Sequence, residues 1–74
     1  MYQVKFGIHK TRASELQPIL KKNNGNLDSR SIHSNIDNFL MHTASFRTLD
    51  EANSFVYNCY MSFGVYFMID FEQR

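Results

Sequence analysis

Tyr2, Val4, Phe6 and Ile8 alternate with Gln3, Lys5, Gly7 and His9. This period of two predicts a strand with one apolar row against a core and one polar row on the other face. The spacing then changes. Leu16, Ile19 and Leu20 supply a helical stripe over Ser14 to Lys22, and Lys21 and Lys22 suit the negative end of the helix dipole. Pro18 limits this helix, because proline is tolerated only in a first turn. Either Ser14 caps a short helix with Gln17 returning the capping box, or a longer helix from Thr11 is kinked.

The run NNGNLDSRS breaks the pattern and reads as a loop, with Gly25 free to adopt the left-handed backbone that ends a helix. Ser31 to Asn38 alternates weakly, and its low apolar content predicts an edge strand closed by a turn at Asp37 and Asn38. Phe39 to Phe46 is partly apolar on both faces, which favours a central strand. Thr48 and Glu51 have capping-box spacing, and Leu49, Ala52, Phe55, Val56, Cys59 and Phe63 follow at intervals of three and four. They predict a helix that Gly64 terminates. A last strand follows, its apolar row Val65, Phe67, Ile69 and Phe71.

The order strand, helix, strand, strand, helix, strand consists of two similar halves. His9-Lys10-Thr11 matches Phe46-Arg47-Thr48 at an offset of 37. The expected fold is α+β and ferredoxin-like, the split βαβ arrangement. It has a four-stranded antiparallel sheet in βαββαβ order, both helices on one face, and the first and third strands central. Residues 1–74 form a single domain, near the size at which one core is only just sufficient.

The stretches YQVKFGIHKTRASEL and FLMHTASFRTLDEANSF each resemble the repeat of SPOR domains, an extended YxVQxGxF strand followed by a helix containing Ala and Leu. Such domains bind peptidoglycan, so the resemblance implies this fold and glycan contact on the sheet face near Gln3, Lys5, His33 and His42. The chain departs from the repeat in three ways: Lys5 stands where Gln is common, the second half lacks the Gly, and Pro18 interrupts the first helix. SPOR modules also sit in membrane-anchored parents, whereas this chain opens with Met at its first strand.

Composition narrows the remaining choices. Hydrophobic residues make up 43% and aromatics 15%, enough for a core, and the net charge is only +1, so no global field draws in nucleic acid or an anionic membrane. The N-terminus lacks an apolar signal core and no run approaches membrane-spanning length. With its single Cys59, the chain is expected to be a cytoplasmic protein that does not contact a membrane.

Few residues carry chemistry. His9, His33 and His42 fall on predicted strands and could converge on the open sheet face, with Asp37 and Asp70 nearby, but their separations follow no metal-ligand spacing. Cys59 lies on the apolar helical stripe, where a structural thiol is expected. Asp50 and Glu51 sit where capping and the dipole favour carboxylates. Gly7, Gly25 and Gly64 are too far apart in sequence for a phosphate loop. Neither enzymatic activity, a cofactor nor a metal is expected.

Nucleic-acid recognition on this fold would need aromatics at the centres of the two middle strands. Phe6 belongs to the row facing the helices, and the third strand offers His42 and Ala44 or Met41 and Thr43. A basic patch of Lys10, Arg12 and Arg47 at the ends of the repeats would be the phosphate contact.

Tyr57, Tyr60, Met61, Tyr66 and Met68 lie off the main apolar stripes, and Tyr and Met are residues that partners bury. The sequence therefore favours a non-enzymatic protein-binding module, similar in size and style to stand-alone phage or mobile-element proteins that inhibit a host protein. Tyr57, Tyr60, Tyr66 and Met68 are the expected apolar contacts, and Arg12 and Arg47 the polar anchors. Self-association through a sheet edge or face would also suit the fold. Glycan and nucleic-acid binding rank behind these readings.

Overall fold

The computed structural model describes residues 1–27, the backbone of 32–36, and 38–69. Strand β1 spans Tyr2–His9, a 3-10 stretch covers Lys10–Glu15, and helix α1 covers Leu16–Lys22. Short strands β2 (Asn26–Leu27) and β3 (Ile32–Ile36) precede strand β4 (Phe39–Phe46), helix α2 (Leu49–Phe63) and strand β5 (Phe67–Ile69).

β1 pairs antiparallel with β4 along its whole length, from Tyr2 opposite Phe46 to His9 opposite Phe39, and with β5 from Phe6 to Ile8 on its other edge. β2 and β3 follow one another along the far edge of β4. The sheet is therefore four strands wide, with β1 and β4 at its centre, and its order is that of the split βαβ, ferredoxin-like fold. Along the β3 edge the four-residue step from Ile32 to Ile36 is set against the two-residue step from Phe39 to Met41, an irregularity that disrupts the ladder.

The first helix departs from both expected forms. Ser14 does not cap it: His9 accepts from the Thr11 amide at 3.3 Å to start the 3-10 stretch, which passes into α1 at Leu16. Pro18 thus falls in the first turn of α1, where it costs no helical hydrogen bond. At the other end Asn24, not Gly25, takes the left-handed backbone (φ 58°). The amides of Gly25 and Asn24 return to the carbonyls of Leu20 at 2.8 Å and Lys21 at 3.2 Å, a Schellman closure. Gly25 is needed for another reason: a Cβ there would stand 2.5 Å from the Phe46 ring. The predicted loop also contributes a strand, since Asn26 and Leu27 pair with Ser45 and Ala44.

The second half follows its sequence closely. Thr48 accepts from the Glu51 amide at 3.1 Å, and Gly64 closes α2 with φ 57°. Asn38 makes the turn into β4 with φ 69°, while Asp37 lies outside the described residues. Leu49 departs from the expected stripe and is exposed. The last strand starts later than predicted: Gly64–Tyr66 form a 3-10 turn with Val65 in solvent, and Phe71 lies outside the described residues.

Phe6, Ile8, Ala44, Phe46 and Phe67 from the sheet meet Leu16, Leu20, Ala52, Phe55, Cys59 and Phe63 from the helices, and all are buried. Phe55 is the hub, with its ring centroid 5.3 Å from that of Phe6 and 5.0 Å from that of Phe46. Asn23, also buried, donates to the Ile19 carbonyl at 2.9 Å and faces Asn58 of α2 at 3.5 Å, which ties the two helices together.

Candidate functional site

The apolar row of β1 runs Val4, Phe6, Ile8, and the apolar stripe of α2 runs Ala52, Phe55, Val56, Cys59. Val4 and Val56, both smaller than the aromatics that fill the core, are only partly buried at this edge of the fold. A groove of about 520 Å³ opens there. Val4, Val56 and Ile69 form its floor, Tyr57, Tyr60 and Asn53 its helical wall, and Gln3 and Lys5 its strand wall. Tyr60 is fixed by an edge-on contact to Phe67, ring centroids 5.0 Å apart, whereas Tyr57 projects into solvent.

The expected contact residues do not form one surface. Tyr57 and Tyr60 come together on the groove. Met68 lies opposite Gly7 on the open face of the sheet, against the side of Gly7 where a Cβ would stand 2.7 Å from the Met41 sulfur. Tyr66 lies at one end of that face, ring centroid 5.2 Å from His9, and His9 in turn packs edge-on against Phe39 at 5.4 Å.

The two arginines are separated by the length of the sheet. Lys10 and Arg12 follow the His9 end of β1, while Arg47 follows Phe46, which pairs with Tyr2 at the opposite end. Eight strand residues span about 25 Å at ~3.3 Å each, so the expected patch of Lys10, Arg12 and Arg47 does not form. Arg12 is instead held within the fold. Its Nε and Nη2 donate to the Glu15 carboxylate at 2.8 and 3.0 Å, Nη2 also donates to the Ser62 carbonyl at 3.3 Å, and the guanidinium lies 5.3 Å from the Phe63 ring centre and 5.7 Å from that of Tyr66. The Glu15 hydrogen bond raises the Arg12 pKa further and holds the Glu15 carboxyl below its ordinary value.

His9 and His42 do not converge. His9 is on the open face, whereas His42 pairs with Phe6 on the helix side, ring centroids 5.7 Å apart. The side chain of His33 lies outside the described residues. Among the described residues no three His, Cys, Asp or Glu side chains are grouped to hold a metal ion. The glycan contact implied by the SPOR resemblance loses His42 from the face that carries Gln3 and Lys5. The centres of the two middle strands present Lys5, Gly7, Met41 and Thr43 to the open face, none of them a base-stacking ring.

The sequence pointed to Tyr57 and Tyr60 but assigned Val4, Val56 and Ile69 to the core. The available signal was size: Val4 and Val56 are smaller than the Phe, Ile and Leu that make up most of the core.

Fold and groove together define a small α+β domain of split βαβ order with an aromatic-walled cleft beside its second helix. Compared with family models, curated proteins and solved structures, the chain matches none.

Proposed function

We propose that the protein is a non-enzymatic protein-binding module that takes an apolar segment of another protein into the groove between β1 and α2. The observation that supports this most is the pairing of Tyr57 and Tyr60 with Val4, Val56 and Ile69 in one cleft, with Gln3, Lys5 and Asn53 as its polar lining. Clefts that combine apolar walls with rigid aromatics are where binding energy concentrates. Occupying a surface of a host protein in this way is how a small phage or mobile-element inhibitor acts. The buried, unpaired thiol of Cys59 suits a reducing cytoplasm. Among the described residues no helix is long and apolar enough to cross a membrane.

The test is an affinity pull-down from nuclease-treated lysate with the wild-type chain and Tyr60→Ala, alongside co-sedimentation with denuded peptidoglycan. The expected result is one stoichiometric protein band that survives nuclease and is lost with Tyr60→Ala while circular dichroism is unchanged. Pelleting on the glycan, or a band that nuclease removes, overturns the reading.

A further inference from the structure

The described pairing between β1 and β5 covers only Phe6, Gly7 and Ile8 of β1, which stand opposite Ile69, Met68 and Phe67. The groove follows the next part of the same strand. Gln3, Val4 and Lys5 line it in succession, and Ile69, the last described residue of β5, lines it too. Residues 70–74 therefore leave β5 at the groove itself.

The sequence of that segment matches the place. In an antiparallel pair each step forward on one strand is a step back on the other. The register that sets Ile69 opposite Phe6 would thus continue with Asp70 opposite Lys5, Phe71 opposite Val4 and Glu72 opposite Gln3. Directly opposed residues share a face of the sheet. Phe67 and Ile69 lie with Ile8 and Phe6 on the helix side, and Phe71 would fall next in that row, over Val4 and beside the tyrosines that wall the groove. Asp70 would fall on the open face, where its charge opposes that of Lys5, a stabilising cross-strand pair. A slip of one residue would reverse both placements, turning the carboxylate into the apolar groove and the ring into solvent. Apolar row and charge complementarity thus select the same register.

We infer that residues 70–72 are the resident occupant of the groove: they extend β5 along β1, insert Phe71 between Val4 and the two tyrosines, and are displaced when another protein enters. Only the last step rests on the proposed function. A partner then competes with a tethered segment of the chain itself, and its apparent affinity is lowered by the fraction of molecules in which the groove is open. The segment suited to displace it is an extended one that pairs with the same edge of β1 and carries an apolar ring at the position of Phe71.

The experiment uses two double variants of the full chain in oxidised glutathione, read by mass spectrometry after alkylation. Val4→Cys/Phe71→Cys should close an internal disulfide at least about tenfold faster than Val4→Cys/Glu72→Cys, whose second cysteine falls on the opposite face. Cys59 is buried and does not compete. In the pull-down, Phe71→Ala should capture more of the groove partner than wild type, and the closed Val4–Phe71 disulfide should prevent capture until it is reduced. Equal closure by the two pairs, or closure by neither, overturns the inference whatever is captured. Preferential closure with undiminished capture keeps the segment in the groove and sinks the proposed function instead.

Discussion

Arg12 donates from Nη2 to the backbone carbonyl of Ser62 at 3.3 Å, across 50 positions of sequence. That contact fastens the first crossover to the C-terminal turn of α2, where a cation donates to a backbone carbonyl and meets the negative end of the helix dipole. With Glu15 and the rings of Phe63 and Tyr66 around it, Arg12 is committed to the fold rather than to a partner. Arg12→Ala should lower the thermal midpoint. Arg12→Lys should recover little of the loss, since an ammonium cannot make the bidentate contact or stack on the ring. Thermal melts decide the role: an unchanged midpoint with partner binding lost would return Arg12 to the contact surface.

Two glycines make opposite predictions from similar clearances. A methyl group at Gly25 would meet the Phe46 ring at 2.5 Å and Leu20 at 2.9 Å, and both side chains are buried and fixed. Gly25→Ala should therefore cost about 1–3 kcal/mol, the usual penalty for overpacking. At Gly7 the obstacles are Met41 and Met68, long unbranched side chains on the open face that can swing away. Gly7→Ala should cost less than about 1 kcal/mol. Urea unfolding of both variants measures the contrast, and equal losses would mean that the open face is as tightly packed as the core.

The contrast between the two halves of the chain shows what was legible. Periodicity with an explicit stop was read correctly: Thr48, Glu51 and Gly64 bound α2, and the alternation of β1 placed Phe6 and Ile8 on the helices. The four-stranded order followed from those elements. The first crossover was misread because its geometry depends on partners distant in sequence. Nothing local says that Gly25 must clear Phe46, that Arg12 must reach Ser62, or that Asn24 rather than Gly25 turns the chain. The site was half legible for the same reason. Off-stripe tyrosines are visible in a sequence, but Arg47 falls at the far end of the sheet from Arg12 only once β1 and β4 run antiparallel.

The start of α2 is held from two sides. Thr48 accepts from the Glu51 backbone amide at 3.1 Å, and the Asn24 side chain donates from Nδ2 to the Glu51 carboxylate at 2.9 Å. Thr48→Ala should cost about 1 kcal/mol, as loss of an N-cap does. The Asn24 hydrogen bond, followed by those to Thr48, holds the Glu51 carboxyl below its ordinary 4.5. Because the folded pKa is the lower one, the contribution is present above pH ~4.5 and is lost as pH falls through the depressed value. Glu51 is only partly buried, so the effect is small. The stability gap between wild type and Glu51→Gln should close on acidification below pH ~4.5; a gap that persists at pH 2 would rule the linkage out.

Cys59 is buried among the core aromatics, and burial pushes its thiol up to about 12. At pH 8 the thiol is neutral and covered, so alkylation should proceed only through opening of the fold and should accelerate in urea in parallel with unfolding. The sign of the alkaline effect follows from the same shift. The unfolded thiol ionises near its ordinary 9.0 and the folded one only near 12, so stability falls as pH rises above 9. Cys59→Ala should lack that thiol-dependent fall, at a cost of about 1–2 kcal/mol for the space it leaves. Rapid labelling of the native protein at pH 8 would contradict the burial.

Tyr57 and Tyr60 differ in a way that separates binding from folding. Tyr57 projects from α2 into solvent, and Tyr57→Ala should change stability by no more than about 0.5 kcal/mol, as exposed substitutions do. Tyr60 packs edge-on against Phe67 at 5.0 Å, so Tyr60→Ala should cost about 1 kcal/mol of stability for the lost ring contact. If both line the surface that a partner buries, each truncation should weaken binding by about 2 kcal/mol or more, a loss that for Tyr57 cannot be traced to folding. Isothermal titration with the captured partner, set beside urea unfolding of the same variants, makes the comparison. Binding that tracks stability alone would make Tyr60 a core residue, and unchanged binding by Tyr57→Ala would remove the solvent wall of the groove from the interface.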